Sequence, residues 1–184
     1  MFGIYLFLAI IVFVVFSIIA IYNKLVRGKN LVAEGWSGID VQLKRRTDLI
    51  PNLLESVKGY MKHERDLLSE VTRLRSESMQ TQDVNAKSQV ENALSQSLAN
   101  LFAVAENYPD LKASQNFLDL QKQLGETEEQ IQMARRYYNG TVRNFNILIE
   151  SFPSNLIARQ FHFTQASFFE LEDEADRAVS KINF

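Results

Sequence analysis

From Met1 to Asn23 the chain carries no charged side chain, and beyond Lys24 apolar residues recur at helical spacing. About 20 apolar residues suffice to carry a helix across a hydrocarbon core of roughly 30 Å. A cleaved signal peptide needs a basic leading region, a shorter apolar run and a small-residue cleavage site. Nothing basic precedes this run and "SIIAIYNK" is a poor cleavage context, so the segment is expected to stay as a single-pass anchor. Lys24, Arg27 and Lys29 follow it directly, with Lys44, Arg45 and Arg46 a little later. The positive-inside bias puts that side in the cytoplasm and the N-terminus outside. Tyr5 and Tyr22 are placed to meet the two interfaces.

After the anchor, Leu53, Val57, Tyr60, Leu67, Val71 and Leu74 form one helical stripe, broken by Glu64. Val90, Leu94, Leu98, Leu101 and Ala105 form a second. The longest runs through Phe117, Leu120, Leu124, Ile131, Ala134, Tyr138, Val142, Phe145 and Ile149. Only the short "FHF" at 161–163 hints at strand alternation. The predicted class is all-α: an N-terminal transmembrane helix continuing into an antiparallel up-and-down bundle of about four long helices.

Ile50-Pro51, Tyr108-Pro109 and Phe152-Pro153 each fall where a stripe ends. Proline is tolerated in the first turn of a helix and disfavours helical geometry at the residue before it. In "KRRTDLIPNLLESVKGY", residues 44–60, three cations suit the last turn of one helix and Asp48 the start of the next, as Asp110 does after Tyr108. A boundary is therefore expected at Pro51, its rival being a kink inside one very long helix. The polar stretch "SESMQTQDVNAKSQ", 76–89, marks the remaining boundary. The plan is one helix to about Arg46, then helices near 51–77, 86–107 and 110–151. The last would run roughly 63 Å at about 1.5 Å per residue, longer than its neighbours cover, so part of it is expected to project or to pair with another copy. Residues 1–23 then form the anchor, 24–160 the bundle and 161–184 a tail.

In that tail Phe163, Phe168, Phe169 and Phe184 flank the acidic "ELEDEAD" of 170–176. The segment either covers the bundle end as a short helix or docks a partner through those four aromatics. Lys44, Arg45 and Arg46 are the candidate contacts for anionic lipid or for the acidic tail.

Composition narrows the function more than it defines it. At 184 residues the chain suits one domain with a real core. A net charge of −2 and a pI of about 5.8 argue against nucleic acid, whose binding domains usually lie above about 9. The absence of cysteine excludes a disulfide framework, a thiolate zinc site and a cysteine nucleophile together. Seven glycines and three prolines favour long helices. His63 sits in "KHERD" without a second histidine four residues on, so the zinc-protease arrangement fails, and a site with His162 requires the two to meet by folding. Neither a phosphate loop nor a GxSxG elbow occurs. Glu126, Glu128 and Glu129 read as a solvated helix face. "NGT" at 139–141 matches a glycosylation acceptor by pattern only. Trp36, Ile39 and Leu43 read as core. In "ARRYYNGTVRNFN", 134–146, helical spacing sends the aromatics and the cations to different faces, unlike a base-stacking surface. No enzyme, metal or cofactor is expected.

Several long blocks nevertheless agree with one family. "YNKLVRGKNLVAEGWSGIDVQLKRRTDLIPNLLESVKGYMKHE" (22–64), "VAENYPDLKASQNFLDLQKQLGETEEQI" (104–131), "ARRYYNGTVRNFN" (134–146) and "FPSNLIA" (152–158) resemble, in order, the bacterial LemA family of membrane proteins. Gly28 and Gly35 stand where helix-favouring residues are expected, and 76–89 carries no family signal. The resemblance implies one N-terminal transmembrane helix and an antiparallel helical bundle in the bacterial inner membrane, with no agreed activity and no catalytic residues to transfer. Relatives encoded near membrane peptidases or stress proteins imply a partner of that kind. The expected function is a non-enzymatic scaffold or assembly protein, self-associating as a homo-oligomer. The alternative is an accessory subunit regulating a membrane peptidase or an envelope stress response.

Overall fold

Pro51 does not end a helix. In the computed structural model, which describes residues 2–169, helix α1 runs unbroken from Phe2 to Lys58 with Pro51 inside it. It is followed by α2 (Arg65–Gln80), α3 (Val84–Ala105), α4 (Pro109–Lys112), α5 (Gln115–Glu150) and α6 (Ser154–Gln160). No strand occurs among the described residues, and "FHF" leaves α6 as a turn.

An interior proline removes the bond from its own nitrogen to the carbonyl four residues back. That carbonyl belongs to Thr47, and Nε of Arg75 on α2 donates to it at 2.8 Å. The orphaned acceptor is thus satisfied from a neighbouring helix, which is why the expected boundary gives way to the rival. The chain turns instead at residues 59–64, where Tyr60 and Met61 both donate backbone N–H groups to the Val57 carbonyl. The turn shifts the stripe by one residue: Tyr60 is exposed and Met61 is buried. The other two prolines do mark boundaries, Pro109 in the first turn of α4 and Pro153 at the N-cap of α6.

The expected linker at 76–89 is mostly helix. α2 runs to Gln80, and Asp83 caps α3 by accepting from the N–H groups of Asn85 and Ala86 at 3.0 and 2.9 Å. The last long helix is also shorter than expected, since α4 and α5 are separate and α5 has 36 residues. Phe117, Leu124, Ile131, Tyr138, Val142 and Phe145 are buried along its length, with Thr127 filling the gap in the stripe. Buried positions thus recur from Phe117 to Phe145, while Leu118, Met133, Tyr137 and Ile147 on the same helix are exposed.

The described residues group into two compact units. The first comprises α1 up to Ile39 and residues Ala134–Phe168. Here α1 and α5 run antiparallel at glycine contacts: a Cβ on Gly28 would lie 2.9 Å from the Phe145 ring, and one on Gly35 3.2 Å from the Tyr138 Cα. Leu25, Phe145 and Ala158 form its core, with Ile21, Ile149, Ile157 and Phe163 packed against them. Trp36 meets the Tyr138 ring at 5.6 Å. The chain after α6 is held along α5 by Asn146, whose amide donates to the Ala166 carbonyl at 3.0 Å and accepts from the Ala166 N–H at 2.9 Å. The Tyr138 hydroxyl donates to the Ser167 carbonyl at 2.8 Å, and burial raises that phenol above its ordinary pKa.

The second unit comprises Asp40–Met133 and Phe169. Ile50, Leu53, Val57, Val71, Leu94, Leu101 and Phe117 are among its buried residues, drawn from α1, α2, α3 and α5. Tyr108 donates to Glu64 at 3.3 Å, which gives the acid that interrupts the first stripe a partner.

Candidate functional site

The basic triplet divides by helix face. Lys44 and Arg45 are exposed, and Lys44 pairs along the helix with Asp48 at 2.8 Å. Arg46 is 1% exposed, in the middle of the second unit. A contact to lipid or to the acidic tail is open to the first two residues and closed to the third, because Arg46 lies on the same face of α1 as Leu43, Ile50 and Leu53. The tail segment 170–176 lies outside the described residues.

Arg46 is the hub of a buried ionic cluster. Its Nη1 donates to Glu128 Oε2 and to the Ser95 hydroxyl, each at 2.6 Å. Nη2 binds the Glu91 carboxylate and also reaches the Glu91 backbone carbonyl at 3.3 Å. The other Glu91 oxygen accepts from the Ser78 hydroxyl at 2.5 Å, with Lys87 Nζ 3.9 Å away. Lys87 also donates to the Ser78 carbonyl at 2.6 Å, a cation placed on the last turn of α2. Each of α1, α2, α3 and α5 contributes, and two cations face two carboxylates, so the cluster is neutral and joins four helices through polar contacts. Glu91 is 1% exposed, whereas the Glu128 side chain keeps 35% of its surface.

Three of these partners escaped the periodicity. Glu128 is drawn towards Arg46 and is half-buried, while Glu126 and Glu129 face water as expected. Lys87 and Glu91 share a face with Leu94, Leu98 and Leu101, so a charged pair four residues apart on an apolar face was the available signal. The cluster offers structure more readily than chemistry, since every carboxylate in it is engaged by a cation or a hydroxyl. His63 lies in the turn between α1 and α2, in the second unit, and His162 follows α6 in the first, at φ 55°. Among the described residues no group of three metal-capable side chains converges.

The same unit carries an open groove of about 1070 Å³ between the end of α1 and α2. Leu54, Met61 and Leu68 supply its apolar lining; Lys58, Lys62 and Arg65 supply positive charge that outnumbers the one acid of the lining, Glu55. Arg73, also on the groove, is engaged by Glu70 at 2.7 Å and Glu77 at 2.6 Å, and its guanidinium holds the Glu70 carboxyl below its ordinary pKa.

The aromatics expected to dock a partner are used internally in part. Phe163 packs in the core of the first unit against Tyr22 and Phe145, at ring distances of 5.9 and 6.4 Å. Phe169 is buried in the second unit, Phe168 is exposed, and Phe184 lies outside the described residues. Asn146 accounts for the first of these, because its paired bonds to Ala166 hold the segment against α5.

The model of the LemA family matches residues 35–184. The chain belongs to the LemA family. It is similar to Protein LemA of Metamycoplasma hominis, 29% identical over 156 residues that cover 82% of this chain and 69% of that protein. It is also similar to Magnetosome proteins MamQ 1 and MamQ 2 of Paramagnetospirillum magneticum, each 29% identical over 82 residues. Those matches cover 45% of this chain and 30% of each magnetosome protein. The family match includes all the residues of the Arg46 cluster and the groove. In this LemA-family chain the first part of α1 is the one described helix long and apolar enough to cross a membrane, and none of that apolar window is buried.

Proposed function

We propose that this chain is a non-enzymatic scaffold of the bacterial inner membrane, with Phe2–Asn23 spanning the bilayer and the bundle on the cytoplasmic side. The observation that supports this reading is that one continuous helix begins with an exposed, uncharged apolar run and further along carries buried core residues. Phe13 and Phe16 are 73% and 69% exposed at its start, whereas Ile50, Leu53 and Val57 are fully buried further along it. Such a helix couples the folded part to the membrane without a flexible linker. Lys24, Arg27 and Lys29 support the cytoplasmic placement. Self-association is part of the proposal, and Leu118, Met133, Tyr137 and Ile147, exposed along α5, are apolar surface open to a second copy. Mass determination in mild detergent tests it: an assembly larger than one chain is expected, and a strict monomer with no copurifying protein counts against it.

The groove favours a second reading, an accessory subunit for a membrane peptidase or stress protein. Its apolar floor and the cations Lys58, Lys62 and Arg65 suit a partner segment that alternates acids with apolar residues. Crosslinking in cells from a photoreactive residue at Lys62 is expected to capture that partner. Capture of other copies of this chain alone would favour the scaffold.

A further inference from the structure

We propose that the turn between α5 and α6 is a second membrane contact, with Phe152 and Leu156 entering the interfacial layer of the bilayer that Phe2–Asn23 crosses. The inference rests on the reading of that segment as a span. Phe152 is 79% exposed and Leu156 57%, and residues 151–158, "SFPSNLIA", contain no charge.

Their level relative to the span follows from the first unit alone. Gly28 faces Phe145 and Gly35 faces Tyr138, two contacts with one antiparallel register. Carried to the end of α5, that register sets Phe152 level with Ile21, inside the uncharged run. Packing agrees: Ile21 belongs to the same cluster as Ile149 and Ile157. Tyr22, the aromatic residue at this end of the span, meets the Phe161 ring at 4.8 Å. Tyrosine at this depth marks a membrane interface.

The exposed apolar surface at the turn is therefore continuous with a surface already committed to lipid, and lipid is the occupant it fits. Exposed cations flank the two segments, Lys24 and Arg27 just after the uncharged run on α1 and Arg159 three residues after Leu156 on α6, suited to anionic headgroups. The acid of this region, Glu150, accepts from Gln165 at 2.5 Å. An apolar tip beside cations is the pattern of segments that lie in an interface without spanning it. The turn would fix the rotation of α1 about its own axis, which a single span leaves free.

The chain has no cysteine, so single cysteines can be labelled directly. Full-length Val12→Cys, Phe152→Cys, Leu156→Cys and Arg136→Cys, each carrying an environment-sensitive fluorophore, are reconstituted in phosphatidylcholine–phosphatidylglycerol nanodiscs. The lipids carry nitroxides at a shallow or a deep acyl position. The probe at Val12 is expected to be quenched by the deep nitroxide. Probes at 152 and 156 should be quenched by the shallow one, on the order of twofold more than the probe at 136. If Val12 is quenched while 152 and 156 match 136, the proposal is overturned and the face is left to a protein partner. If Val12 itself is not quenched, the span reading fails and takes the proposal with it.

Discussion

The two units solve the same packing problem with different chemistry. In the first, α1 and α5 come together at glycines, and the gap they leave is filled by Tyr138, Phe145 and Trp36. In the second, an aliphatic core is interrupted by the cluster of Arg46, Glu91, Glu128 and Lys87. Glycine contacts fix the distance between two helices but tolerate small changes of side chain elsewhere. An ionic cluster fixes which helices meet and at what register, because a shifted helix leaves a charge buried without a partner. The units should therefore respond differently to substitution, and the contrast can be tested one residue at a time.

The largest effect is expected at Arg46. Arg46→Met keeps much of the volume but leaves Glu91 with the Ser78 hydroxyl and a lysine 3.9 Å away. Breaking a buried pair from one side costs about 3–5 kcal/mol. Chemical denaturation of the detergent-solubilised chain should show that loss. Lys44→Met, which removes an exposed pair two residues earlier, should cost about 0–1 kcal/mol. Arg46→Met combined with Glu91→Leu should recover much of the stability, since an apolar replacement of the whole pair removes the orphaned charge. A small loss in the Arg46 variant would erase the proposed difference between the units.

This arrangement explains what the sequence disclosed. Leu94, Leu98 and Leu101 announce their helix because apolar side chains repeat at the period of the backbone, a local property. Arg46 and Glu91 are 45 positions apart, and neither reveals its partner, so the triplet 44–46 looked uniform. Helical spacing alone would have separated Arg46 from its neighbours, since it lies three residues from Leu43 and four from Ile50 on a buried face. Gly28 and Gly35, seven residues apart, were visible as anomalies in a helix, but the surface they meet lies on α5. Pro51 misled for the same reason. Its local rule is sound, and the exception depends on Arg75, distant in sequence.

The Pro51 exception supplies the second test. Arg75→Ala should cost about 1–3 kcal/mol, because it leaves the Thr47 carbonyl buried with neither an intrahelical nor an interhelical donor. In a Pro51→Ala background residue 51 regains an N–H for that carbonyl, and the same Arg75 substitution should cost less. The double-mutant cycle reads the difference directly. Equal costs in the two backgrounds would show that Arg75 acts through packing and that the continuity of α1 has another cause.

The smallest effect sharpens the first unit, where two glycines three residues apart on one helix should respond with opposite signs. Replacing glycine by alanine in a helix gains about 0.5–1 kcal/mol from the backbone alone. Gly38 meets nothing within 4 Å, so Gly38→Ala should show that gain undiminished. At Gly35 the new methyl meets the Tyr138 Cα at 3.2 Å and the Thr141 hydroxyl at 3.3 Å. The first of these is backbone, which can yield only if α5 moves as a whole. Overpacking of this kind costs about 1–3 kcal/mol, enough to outweigh the helical gain and leave a net loss of about 1 kcal/mol. Denaturation midpoints of the two variants should move apart around the parent. If both rise together, α5 gives way freely, and the close approach at Gly35 does not hold the first unit at its observed spacing.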